Sequence, residues 1–267
     1  MHTGDKELGS APQWDDLVSE GKITEEEKKI IVEMSGNEAK INGVQSYDSE
    51  IITAGAMQKT INLSGGGELP LQVKKFKNQH PEAYIEYFDS QGWKLDETGD
   101  SAKMYYQGPA RASGAKLEGK ALKDNLKIGC SESTFGKVVD CQPVSVMACA
   151  IASPLYIQIQ IMDFIERLRS SLTKKPTGYN FTAGGFFKTS LGKAVVLDHD
   201  INRPGYVKDD LGSALDTFFA QNPTVSRDID TWGAAYSVNE RKVLDLYGAR
   251  RRMTNALLRY NHLKAEL

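Results

Sequence analysis

A mainly α-helical, two-lobed α+β fold is predicted for this chain, and three observations predict it. Helix signals are concentrated over Lys22–Gly36 and return in the long apolar run Ser153–Leu172. Between Asn37 and Asn62 the pattern changes to short β-branched runs broken by Gly43 and Gly55, as in a small hairpin or irregular sheet. With 267 residues, 40% of them hydrophobic, the chain can bury a substantial core and lies between one large domain and two small ones.

Taken in order, residues 1–20 read as a polar N-terminal extension, and 21–267 as the folded domain. The first helix is the best signalled. Thr24 followed by Glu27 forms a capping box, Glu25 and Glu26 fill the first turn, Ile30, Ile31 and Met34 supply an apolar face, and Gly36 stops the helix. The β-lobe occupies about 37–62, and the loop Ser64–Gly67 closes it. From Glu68 an amphipathic helix carries Leu69, Leu71, Val73 and Phe76; Pro81 opens another with Tyr84, Ile85, Tyr87 and Phe88. The stretch Asp96–Gly136 is rich in Gly, Lys and Asp and reads as an unassigned insertion. The second, helical lobe runs over about 150–267. Its spine is Ser153–Leu172, with Arg167, Arg169 and Lys174 near the helix C-terminus. Further helices are expected at Leu191–Asp198, Leu211–Ala220 and Asn239–Glu266.

Composition narrows the function only a little. A net charge of −2 with 25% charged residues gives no sign of a nucleic-acid binder or a disordered chain. The basic runs Lys74, Lys75, Lys77 and Arg250, Arg251, Arg252 read as solvated helix faces. No apolar run approaches the length needed to cross a bilayer, and the N-terminus lacks the pattern of a signal peptide, so membrane insertion is not expected. His2, His80, His199 and His262 are scattered, without the spacing of a metal site, and no cofactor or metal is implied. No Gly-x-Ser-x-Gly elbow is present. Cys130, Cys141 and Cys149 are odd in number; Cys130 and Cys141 could close a small loop, or all three could be reduced thiols.

Carboxylates carry the chemistry that remains. Glycoside hydrolysis needs one carboxylic acid still protonated near neutral pH and a second polar or ionised group to hold water or stabilise a positive sugar ring. Glu33 follows Ile30, Ile31 and Val32, where burial would raise its pKa. Asp48 lies in the polar stretch Ser46–Glu50, where hydrogen bonds would keep it ionised. A Glu near a helix end is by itself most often a solvated surface residue. It is the order of the pieces that points to a site: Glu33, then Asp48, then the strand-like run Ile51–Gln58.

That order resembles the lysozyme-like superfamily of phage-type and goose-type lysozymes, lytic transglycosylases and chitosanases. In these a helix-end Glu is followed by a β-lobe carrying an Asp and a Thr-x-Gly or Gly-x-x-Gln element. The resemblance covers about the first quarter of the chain. It implies a peptidoglycan muramidase with Glu33 as acid, Asp48 and Thr53 arranging the attacking water, and Tyr47 and Gln58 contacting sugar. The interval from Glu33 to Asp48 is longer than in phage-type lysozymes, and Glu38 and Glu50 are rival carboxylates for the second role. Thr189–Asp198 with Asn202 and Pro204 looks like the helix and turn behind the cleft of chitosanase-like members. The implied partner is the peptidoglycan glycan strand, reached at the cell wall or in the periplasm after delivery by a phage or a secretion machine, the latter bringing an immunity protein. Chitosanase, lytic transglycosylase and a non-catalytic glycan-binding structural component are the alternatives.

Overall fold

In the computed structural model, residues 2–46, 49–108, 114–127 and 142–267 are described. The backbone contacts divide into two units. One comprises Met1–Asp16 with Glu38–Met162, the other Leu17–Asn37 with Asp163–Leu267. The α+β prediction holds: helices dominate, beside two small antiparallel sheets.

In the first unit, β1 (Val44–Gln45), β2 (Ile52–Ala54) and β3 (Lys59–Ile61) form the sheet expected between Asn37 and Asn62, in the order β1-β2-β3. Val44 faces Ala54, and Thr53 of the central strand lies between Gln45 and Thr60. The N-terminal residues are built into this unit. His2 and Val44 exchange both backbone hydrogen bonds at 2.8 Å, and Ile41 N–H donates to the Lys6 carbonyl at 2.9 Å. Trp14, on α1 (Gln13–Ser19), is buried, and its indole N–H donates to Leu8 O.

Gly67, at φ +128°, turns the chain into α2 of this unit's helical layer, Glu68–Gln79; a Cβ there would sit 2.3 Å from Thr60 O, so only glycine fits. Pro81–Tyr84 (α3) continues into a π-helical turn, Ile85–Asp89. The stretch read as unassigned contains a regular hairpin. Its strands are β4 (Trp93–Thr98) and β5 (Ser101–Tyr106), joined by a two-residue loop in which Gly99 has φ +56°. Then follow α4 (Gly119–Leu126), α5 (Gln142–Ile151) and α6 (Pro154–Leu172), the last belonging to this unit up to Met162. Val44, Ile52, Phe76, Phe88, Trp93, Met147 and Tyr156 lie in one apolar cluster that joins sheet, hairpin and helices. Phe76 meets the Tyr156 ring edge-on at 5.1 Å.

The second unit is helical. The early capped helix, Glu25–Ser35, has the predicted capping box: Glu27 N–H donates to Thr24 Oγ1, and the Glu27 carboxylate accepts from Thr24 N–H. Ile30, Ile31 and Met34 are its buried face. The helix Ser190–Asn202 (α7) is buried on nearly all sides, as expected of a central helix. Its N-cap Thr189 accepts from Gly192 N–H, and the buried Glu240 carboxylate accepts from Thr189 N–H, Thr189 Oγ1–H and Lys188 N–H. Val207–Gln221 (α8) follows.

The single helix expected at Asn239–Glu266 is instead two, Tyr236–Gly248 (α9) and Ala256–Glu266 (α10). The break has a physical cause. Arg251 is drawn inward, Asn255 adopts φ +55°, and Gly248 lets the Tyr260 ring approach to within 2.5 Å of where a Cβ would stand. The basic run Arg250–Arg252 is therefore not a solvated helix face: Arg251 is 3% exposed and its Nη1 donates to the buried Asp198 at 2.6 Å.

Candidate functional site

The expected site residues fall into three groups. Tyr47 and Asp48 lie outside the described residues. Thr53 and Gln58 belong to the first unit, and Glu33 to the second. Glu33 is half-buried, next to Met34 and one turn after Ile30, at the edge of the buried stripe of Ile30, Ile31 and Met34. Glu38 begins the segment that belongs with Thr53 and Gln58. Glu50, also of the first unit, is half-buried in a bend before β2.

Within the first unit, two pieces of chain are brought together: the loop Glu38–Gly43 and the turn Gly55–Gln58. Gly55 N–H donates to Gly43 O at 2.9 Å, and Gln58 N–H to Gly55 O at 3.0 Å. Gly55 has φ +78° and Gln58 φ +52°, so the turn is tight and presents an exposed Gln58. Thr53 is 5% exposed on the central strand leading into it.

Two buried polar side chains fix this arrangement. Asn42 holds the N-terminal segment: its Oδ1 accepts from Asp5 and Lys6 N–H, and its Nδ2 donates to Asp5 Oδ1 at 2.9 Å. Gln160, on α6, donates from Nε2 to Ile41 O at 3.3 Å and Ile151 O at 2.9 Å, while its Oε1 accepts from Ala56 N–H at 3.0 Å. Sequence reasoning missed both. The available signal for Gln160 was an amide within an otherwise apolar run, a position where a polar group needs partners. Lys123 of α4 donates to Ser49 O in the same unit.

The second unit holds its own strongly perturbed groups. Burial, together with the Arg251 cation, pushes His199 down to about 4, with Asp210, Asp198 and Asp200 opposing. Its Nδ1 lies 2.8 Å from Tyr247 Oη. Asp200 is clamped by Arg167 and Lys174, and Asp198 by Arg251 and Arg259. The carboxylates of Asp198 and Asp200, His199, Tyr247 and Arg251 are buried, while Arg167, Lys174 and Arg259 close the network toward its edge, and together they brace α7. A cavity of about 510 Å³ in the same unit is lined by Thr189, Ser237, Glu240 and Leu267 among others; none of the expected site residues lines it. Among the described residues no His, Cys, Asp and Glu cluster is suited to a metal ion. Cys149 is a free, exposed thiol, and Cys130 and Cys141 lie outside the described residues. Trp14, Trp93 and Trp232 are all buried.

Compared with protein-family models, curated proteins and solved structures, the chain matches none.

Proposed function

We propose that this chain is a lysozyme-like glycoside hydrolase that cleaves the glycan strands of peptidoglycan by general acid/base catalysis. The observation that carries the reading is the tie between the loop Glu38–Gly43 and the turn Gly55–Gln58. It gives one unit a carboxylate-bearing loop, a buried strand Thr53 and a turn ending in Gln58, in the chain order of a lysozyme-like β-lobe.

Within this reading we assign the acid to Glu38, a rival for the second carboxylate in the sequence, in place of Glu33, the acid that the resemblance implies. Glu38 belongs to the unit that holds Thr53 and Gln58, whereas Glu33 does not. The assignment also brings the interval to Asp48 nearer to that of phage-type lysozymes, whereas the interval from Glu33 is nearer to that of chitosanases. In this mechanism Glu38 protonates the leaving glycosidic oxygen, and Asp48 activates water on the opposite face of the sugar, giving inversion. Thr53 helps hold that water, while Tyr47 and Gln58 contact the sugar. Delivery by a phage or a secretion machine, with an immunity protein as partner in the second case, belongs to the same proposal.

The test is incubation of purified peptidoglycan with wild type, Glu38→Gln, Glu33→Gln and Asp48→Asn, followed by muropeptide analysis. We expect Glu38→Gln to lose about a hundredfold or more in rate, with Glu33→Gln close to wild type. The opposite pattern returns the acid to Glu33. Anhydro-sugar ends would make the chain a lytic transglycosylase. Retention on peptidoglycan without release by wild type would make it a binding component, and release from chitosan alone a chitosanase.

A further inference from the structure

Resting on the hydrolase reading, we infer that Gln160 is the positioning residue of the site: its carboxamide sets the placement of the acid-bearing loop relative to the β2–β3 turn. It touches three main-chain segments at once, at Ile41, Ala56 and Ile151. These are remote in sequence from one another, and α6 is the element that reaches all three. Gln160 is 3% exposed, so water does not replace a lost bond.

The surrounding chain is shaped to admit this side chain. A Cβ on Gly55 would lie 2.6 Å from Gln160 Oε1, so the turn carries glycine where the amide enters. On the other side Gly55 N–H closes onto Gly43 O. Ile41 lies three residues after Glu38, and Ala56 lies between Thr53 and Gln58. Each end of the carboxamide thus holds one half of the proposed site, although Gln160 itself contacts no substrate.

A positioning role predicts a specific kinetic pattern. Loss of alignment slows the chemical step without weakening binding to sugars, because misplacement by about 1 Å can cost roughly a hundredfold in rate. In Gln160→Met, which keeps the volume and removes every hydrogen bond, kcat on soluble peptidoglycan strands should fall about tenfold to a hundredfold, with KM within about twofold. Amide exchange of Ala56 should accelerate by about tenfold, as expected for loss of roughly 1.4 kcal/mol of local protection, while amides of the helix Ser190–Asn202 stay unchanged.

Gln160→Glu is the second variant and secures the test should the Met variant fold poorly. The carboxyl accepts from Ala56 N–H in either form, but only when it is protonated at low pH does it regain a donor toward Ile41 O or Ile151 O, in place of a carboxylate facing those two carbonyls. Its kcat relative to wild type should therefore rise as pH falls, a dependence that a packing role would not produce. An unchanged kcat per folded molecule in both variants, or unchanged exchange at Ala56, overturns the inference. Failure of wild type to release muropeptides overturns the hydrolase reading instead, and the tie is then judged by Ala56 exchange alone.

Discussion

Replacing Arg251 by Met should cost this protein far more than replacing its neighbour Arg252. The Arg251 guanidinium is fully buried and saturated: Nη1 donates to Asp198 Oδ2 at 2.6 Å and Val195 O at 3.1 Å, Nε to Gly248 O at 3.0 Å, and Nη2 to Ala256 O at 3.1 Å. Removing one partner of a buried ion pair costs about 3–5 kcal/mol, because the other charge stays behind without compensation. Asp198 retains Arg259, whose Nε donates at 2.9 Å, which places that loss toward the low end. Three carbonyls also lose a donor, at about 0.5–1.5 kcal/mol each. We therefore expect about 5–7 kcal/mol from Arg251→Met, or roughly 10–25 °C in Tm for a chain of this size. Arg252 is half-exposed and pairs with the exposed Asp209 and with the largely buried Asp210, so Arg252→Met should cost about 1–2 kcal/mol. Thermal and urea melts followed by circular dichroism measure both. Melting of Arg251→Met within about 3 °C of Arg252→Met would refute the view that this cation holds the break between the last two helices.

His199 gives a pH dependence whose sign is fixed by its environment. Its folded pKa is lowered to about 4 by burial first and by Arg251 second, so the unfolded chain takes up the proton at higher pH than the folded one. Stability should be flat above about pH 6.5 and fall between there and pH 4, by about 3 kcal/mol in all; urea melts of wild type and His199→Gln compare the slopes, and equal slopes would sink the claim. Thr24→Ala removes the acceptor for Glu27 N–H and half of the capping box, and should cost about 1 kcal/mol. Thermal melts check it, and a variant as stable as wild type would show that the Arg169–Glu27 pair holds this helix end unaided.

What was legible in the sequence was what local chemistry determines. The capped helix at Glu25, the sheet between Asn37 and Asn62 and the helix from Pro154 all announce themselves through caps, β-branching or apolar length. The hairpin Trp93–Tyr106 does not, because its outer half is polar on both faces and exposed; its order comes from backbone pairing and from Trp93 meeting Tyr106 at 5.5 Å. A turn signal, Gly99-Asp100, was present but outweighed by the surrounding Lys, Asp and Glu. The break before Ala256 was hidden for another reason. Arg251 looks like a surface residue until Asp198, far away in sequence, is folded against it.

The acid illustrates the same limit at the site itself. Glu33 follows three apolar residues, yet a helix turns by about 100° per residue, so its place around the helix, and not the residues just before it, decides how far it is buried. Ile30, Ile31 and Met34 face inward and leave Glu33 at the margin of that stripe. Burial of a side chain is decided by groups that pack across the fold from far away in sequence, as Gln160 does against Ile41 and Ala56, 119 and 104 residues away. Chain order could therefore indicate the kind of element that carries an acid, but not which glutamate on either side of Gly36 occupies it. Glu38 falls on the side of Thr53 and Gln58 and Glu33 on the other, and the rates of muropeptide release by Glu38→Gln and Glu33→Gln decide between them.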